Sequence, residues 1–251
     1  MSFLVFLGTS NAIPDPTHEN THMALSTDEG VILIDCVGSP NVRLSRAGIG
    51  LSEITDLILT HFHPDHVSGV PLLLMNMWLQ GRDTPLRIYG LHHCLERIED
   101  VMALYHWDKW PGFFPVAFHR LPERECIQVL ETTEFKILSS PVRHLIPTIG
   151  LRIESKEGKG AIAYSCDTEP CPSVTRLAKD VDILIHEATG FGAGHSSASQ
   201  AGAIAREANA KRLLLIHYPN IDLDPERLID QAKETFEGDV ELAQDFMKIP
   251  L

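Results

Sequence analysis

The chain has 251 residues, 44% of them hydrophobic and 22% charged, a balance that suits a globular protein with ample core. No apolar run approaches the roughly 18 residues of a membrane span, and the apolar stretch 3–7 is too short, with no basic residues before it, for a secretion signal. The formal charge of −13 comes from 34 acidic against 21 basic residues with no basic run, which argues against a broad polyanion-binding surface, since phosphate contacts need clustered Lys and Arg.

Taken in order, residues 3–8, 22–27 and 30–36 are apolar runs bounded by turn formers and read as strands, with a polar loop over 10–20 between the first two. A short helix is expected at 41–47, and a buried strand at 56–60 runs straight into His61. The run 70–78 is apolar nearly all round, as in a packed helix. A strand at 86–89 and a helix over 92–105 come next. More strands are expected at 126–130, 133–139, 150–154 and 160–165, then at 182–186 and 212–217, the last two separated by a helix. That helix starts with a capping-box pattern, Ser197 with Gln200, and Ala201, Ile204, Ala205 and Ala208 supply its apolar stripe. Asp224 as N-cap and Pro225 in the first turn open the last helix, which ends at Gly238 before a final strand at 240–245.

Strands then helices, twice over, imply an α/β protein with two sheets face to face and helices outside. No Gly/Ser linker or low-complexity tract interrupts it, so 1–251 reads as one domain. Five cysteines (Cys36, Cys94, Cys126, Cys166, Cys171) are an odd number in no zinc-finger spacing, which suits a reduced, cytoplasmic chain better than a disulfide scaffold.

The densest chemistry lies in Thr60-His61-Phe62-His63-Pro64-Asp65-His66. Three imidazoles and a carboxylate follow a buried strand within six residues. Side chains alternate along a strand, so His61 and His63 point to one side, and a turn at Pro64 can bring Asp65 and His66 round to a neighbouring position. That arrangement would feed two adjacent metal ions. The donor set suits zinc, with manganese or iron as alternatives.

This segment is the HxHxDH signature, and the chain resembles the metallo-β-lactamase superfamily, whose fold is a four-layer αββα sandwich. The resemblance implies a supporting role for Asp35, in Leu33-Ile34-Asp35-Cys36, behind the metal histidines. It implies three more ligands: His144 after Pro141-Val142-Arg143, Asp167 in Ser165-Cys166-Asp167-Thr168, and His217 in Leu215-Ile216-His217-Tyr218. His61, His63 and His144 would then hold one divalent ion, Asp65, His66 and His217 the other, with Asp167 between them.

Within the superfamily the chain is most similar to the ribonuclease Z-like branch. Phe6-Leu7-Gly8-Thr9 opens it in that manner, and His186-Glu187-Ala188-Thr189 followed by Gly194-His195-Ser196 looks like that branch's HEAT motif and the histidine after it. The implied roles are a proton donor at His195, held by Glu187, with Asp65 orienting or deprotonating the nucleophile. His186 reads as a packed strand-end residue. Two features depart from ribonuclease Z proper. Only 23 positions separate His144 from Asp167, enough for a hairpin but not for the long tRNA-gripping arm. Ile216-His217-Tyr218-Pro219 also lacks the serine–arginine continuation.

The expectation is therefore a dinuclear hydrolase acting on a small or single-stranded phosphodiester, with tRNA and membranes not among its partners. Hydrolysis of a lactone, thioester or aryl ester on the same metals is the alternative, and a metal-holding protein without turnover is a third class. Trp107, Trp110, Phe113 and Phe114 read either as a loop capping a pocket or as packing on the core or a second subunit, and a homodimer is compatible with the latter. His22 lies near enough to the site loops to watch.

Overall fold

Leu4 and Phe6 point to one side of their strand and Val5 and Leu7 to the other, and all four are fully buried. Because strand side chains alternate, a strand buried on both faces needs cover on both. The computed structural model, which describes residues 2–158, 160–220 and 224–251, supplies that cover. The first half of the chain gives β1 (Phe3–Gly8), β2 (His22–Thr27), β3 (Gly30–Ile34), β4 (Ile54–Ile58), β5 (Leu86–Leu91) and β6 (Val116–Leu121), with helices α1 (Pro40–Ala47), α2 (Pro64–Val67), α3 (Val70–Leu79) and α4 (His92–Leu104). The second half gives β7 (Ile127–Glu131), β8 (Phe135–Val142), β9 (Thr148–Ser155), β10 (Ala161–Tyr164), β11 (Ile183–Glu187), β12 (Arg212–Ile216), β13 (Asp239–Leu242) and β14 (Lys248–Pro250), with α5 (Pro172–Leu177), α6 (Ala198–Glu207) and α7 (Pro225–Lys233).

These strands form two seven-stranded sheets, ordered β14-β1-β2-β3-β4-β5-β6 and β13-β12-β11-β10-β9-β8-β7. The β3–β6 and β10–β13 runs are parallel, and parallel neighbours need crossovers, which the helices provide. The inner faces meet in one core, with Leu4, Phe6, Ile32 and Ile58 from the first sheet against Ile137, Leu151, Ile185 and Leu214 from the second. Leu44, Leu73 and Leu95 cover the first sheet's outer face, and Val174, Ala201 and Ala232 the second's. The result is the expected four-layer αββα sandwich.

Several elements differ from expectation. The strand expected at 240–245 is shorter, β13 ending at Leu242, and a further strand outside that range, β14, joins the other sheet, pairing antiparallel with β1. Strand β6 was not anticipated, because Ala117, His119 and Arg120 are exposed at a sheet edge and blur its alternation. Helix α5 is six residues long, too short to show a period. Helix α7 starts at its Asp224 cap, which accepts from the Glu226 N–H at 3.1 Å, but stops at Lys233 rather than Gly238. The capping box of α6 is formed, with Ser197 N–H donating to Gln200 Oε1 at 2.9 Å and Gln200 N–H to Ser197 Oγ at 3.2 Å. No described helix is long and apolar enough to cross a membrane.

Candidate metal centre

In sheets of this kind ligands gather at the carboxyl ends of parallel strands. Asp35 follows β3, His61 and His63 follow β4, Asp167 follows β10, Glu187 ends β11 and His217 follows β12. Three of these strands end in a left-handed residue, Asp35 (φ 58°), Cys166 (φ 54°) and His217 (φ 53°). Such conformations are costly for non-glycine residues and concentrate at functional sites. Here each turns the chain sharply where the sheets' carboxyl ends meet.

The side chains converge as two groups. Donor atoms of His61, His63 and His144 lie within 4.8 Å of one another, and so do those of Asp65, His66, Asp167 and His217. His63 Nδ1 faces His61 Nε2 at 3.1 Å and His144 Nε2 at 3.0 Å. Asp167 borders both groups, 3.9 Å from His61, 4.0 Å from His144, and 3.4 Å from His217. Asp65 Oδ2 lies 3.4 Å from His217 Nε2 and 3.7 Å from His66 Nε2.

Two atoms test whether a cation fits. His66 Nε2 and Asp167 Oδ1 are buried with no hydrogen-bond partner, and they lie 3.5 Å apart. Buried polar atoms are rarely left unpaired, and a divalent ion is a natural partner for an imidazole nitrogen and a carboxylate oxygen facing one space.

The outward nitrogens are all occupied in four of the five histidines, fixing which nitrogen faces inward. His66 Nδ1–H donates to Asp35 Oδ2 at 2.8 Å. The Thr60 hydroxyl also donates to Asp35 Oδ2, at 2.8 Å, so His61 Nδ1–H is the donor to Thr60 Oγ1 at 3.1 Å. By the same logic His217 Nδ1–H donates to Thr189 Oγ1 at 2.8 Å, since the Thr189 hydroxyl donates to the His217 carbonyl. His144 Nδ1–H donates to the Gly194 carbonyl at 2.7 Å. His63 differs, presenting Nδ1 inward. The sequence reading missed Thr60, Thr189 and Gly194 as orienting groups; their proximity in sequence to His61, Glu187 and His195 is the only signal they carry.

Glu187 is fully buried, and its carboxylate accepts from the backbone N–H groups of Thr168, Thr189 and Ser196 at 3.0, 2.9 and 3.1 Å. It also accepts from His195 Nδ1 at 3.0 Å. Burial alone would lower the His195 pKa, but the hydrogen bond and charge of Glu187 outweigh it and hold the imidazole above its usual value. The His195 ring stands 5.0 Å from that of His144 and 5.9 Å from that of His217. His66 is likewise raised, its burial overcome by Asp167 and Asp35, whereas burial lowers His61. Asp167 is held well below the carboxylate range by His217 and His66 despite its burial.

The other histidines and the aromatics stand apart. His186 is buried in β11 and bonds the Glu187 carbonyl at 2.8 Å. Trp110 stacks on Trp78 at 4.9 Å, Trp78 Nε1–H donates to the Pro111 carbonyl at 2.9 Å, and Trp107 and Phe113 pack on the outer face of the first sheet. The aromatic stretch therefore packs on the core. All five cysteines are free.

A sandwich of two sheets with histidines and aspartates at the strand ends is the metallo-β-lactamase fold. The beta-lactamase superfamily domain matches residues 31–218, and the chain belongs to that family. It is 27% identical to the ribonuclease Z of Methanothermobacter thermautotrophicus, over 99% of this chain and 96% of the relative. The human short-form tRNase Z has a similar structure, with a TM-score of 0.79 and 26% identity over 100% of this chain and 99% of that one. The metallo-β-lactamase fold protein YhfI of Bacillus subtilis superposes with a TM-score of 0.83 at 21% identity, covering 99% of this chain and 98% of that one. The archaeal alignment spans 304 positions, more than the 251 residues here, so that relative carries stretches with no counterpart in this chain. Among the described residues, β9, β10 and the turn joining them occupy most of the interval from His144 to Asp167.

Proposed function

We propose that the chain is a dinuclear metal-dependent phosphodiesterase acting on small or single-stranded diesters. The observation that carries this reading is the Glu187–His195 pair, which stands beside the two ligand groups as a ready proton donor. His61, His63 and His144 would hold one divalent ion and Asp65, His66 and His217 the other, with Asp167 shared. Such ions, when bound, lower the pKa of water toward about 7 and draw charge from a phosphoryl or acyl oxygen.

Asp65 would orient the attacking water and take its proton. As the new P–O bond forms and the ester P–O bond breaks, the proton on His195 passes to the departing oxygen. Glu187 keeps that imidazole turned inward and protonated. The short interval between His144 and Asp167, without a tRNA-gripping arm, supports a small substrate over a folded tRNA. Zinc suits the donor set, with manganese or iron as alternatives.

The test is a panel on one metal-loaded preparation: aryl and cyclic phosphodiesters, a lactone, a thioester and an aryl carboxylic ester. Turnover of a phosphodiester at least about 100-fold faster than of the carbonyl substrates, a gap of about 2.7 kcal/mol, is the expected result. The reverse preference would replace this reading with lactone or thioester hydrolysis, and no turnover with a binding role.

A further inference from the structure

A cavity of about 880 Å³ lies against the loop that carries His144 and is bordered by that residue's backbone, the imidazole itself being buried. Arg124, Arg143, Arg176, Glu123 and Glu125 also line it. Glu125 and Arg176 cancel one another, in a fork of 2.8 Å to Nε and 2.6 Å to Nη2. Among the described residues, neither the Arg124 nor the Arg143 guanidinium makes an ion pair or a hydrogen bond. The backbone of Arg143 is nonetheless fixed. Its N–H donates to Thr168 Oγ1 at 3.2 Å, and its carbonyl accepts from the Glu169 N–H at 2.7 Å, so it is tied to the segment that follows Asp167.

Glu123 offsets one of these two charges, and the net positive charge left in a cavity bordered by the His144 backbone is unexpected in a chain of charge −13. A guanidinium matches phosphate oxygens as a planar fork, and a pair of them suits one anionic group rather than a long polyanion. We propose that this cavity is a substrate subsite in which Arg124 and Arg143 bind a second anionic group while the scissile diester lies at the metal centre. The inference rests on the phosphodiesterase reading above. It defines the substrate class more narrowly: a nucleotide diester or short oligonucleotide bearing a further phosphate.

Two substrates that differ by one phosphate test it: thymidine 5′-(p-nitrophenyl phosphate) and its 3′-phosphorylated form, assayed with metal-loaded wild type and the Arg124→Ala/Arg143→Ala variant. Wild type is expected to show a KM about tenfold lower for the 3′-phosphorylated substrate, equivalent to about 1.4 kcal/mol, and the variant a KM ratio near one. Equal KM values in wild type, or a preference that survives in the variant, would overturn the proposal. Both arginines are exposed, and an unchanged melting temperature verifies that the variant folds. Calorimetric binding of thymidine 3′,5′-bisphosphate separates this inference from the one beneath it. If neither diester turns over, the phosphodiesterase reading fails, while a tenfold weaker bisphosphate affinity in the variant would still uphold the subsite and equal affinities would end it.

Discussion

Asp35 and His66 form the anchor of the centre: the carboxylate accepts a hydrogen bond from His66 Nδ1–H at 2.8 Å, which leaves Nε2 buried and unpaired toward Asp167. Through the Thr60 hydroxyl the same carboxylate also orients His61, so one residue that touches neither ligand group's interior sets two of its imidazoles. Asp35→Asn keeps the left-handed backbone, which asparagine tolerates, but loses the charge. Metal affinity should fall about 10- to 100-fold, as titration against a chelator will measure. Wild-type affinity in this variant would remove Asp35 from the account.

Gly194 holds His144 by its carbonyl and leaves no room for anything larger. A Cβ there would come within 2.8 Å of His144 Nδ1 and 2.9 Å of Leu145 Cγ, at φ +81°. Gly194→Ala should cost about 1–2 kcal/mol in stability from the backbone alone and weaken binding of one metal ion more than the other. Equal weakening at both positions, read by stepwise metal titration, would count against the assignment of His144.

His195 is assigned to proton transfer and not to metal binding. His195→Ala should lower kcat about 10²- to 10⁴-fold with the metal content unchanged. Glu187 acts through it as a positioning residue, so Glu187→Gln should lower kcat in the wild-type background and add almost nothing in the His195→Ala background. Loss of metal in step with activity would instead make His195 a ligand beside His144 and Asp167.

His22 is buried beside the site and its pKa is pushed down to about 4, by burial first and then by the nearby charges of Arg43 and His66. Unfolded, it titrates near 6.5, so between these values the unfolded chain binds more protons. Its contribution is complete above pH 6.5 and is lost as pH falls toward 4; it amounts to about 2 kcal/mol between pH 7 and 5. His22→Asn keeps a donor for the Asn20 carbonyl, which His22 Nδ1 now bonds at 2.9 Å. Denaturant unfolding of metal-free protein should show a shallower loss of stability over that range in the variant. Parallel slopes for the two proteins would contradict the argument.

Much of the fold was legible because most strands carry strong local patterns, doubly buried as in β1 and β12 or marked by caps as in α6. The missed pieces lack local signal. Strand β6 is an exposed edge, α5 is barely two turns, and β14 has no pairing partner within its own stretch of chain. Within the site, the cluster from His61 to His66 is contiguous and could be read from the residues themselves, whereas Asp35, His144, Asp167 and His217 were inferred from family resemblance. The left-handed turns at Asp35, Cys166 and His217 are set by tertiary packing, so no sequence pattern announces them. The orienting threonines and Gly194 act through hydrogen bonds or steric fit that only the folded chain reveals.

The measurement that bears most directly on the central claim is a titration of metal-free protein with zinc, following turnover of thymidine 5′-(p-nitrophenyl phosphate). Two ligand groups sharing Asp167 predict that activity rises to a break at two equivalents per chain. Full activity at one equivalent, or none at any ratio, would contradict a dinuclear phosphodiesterase.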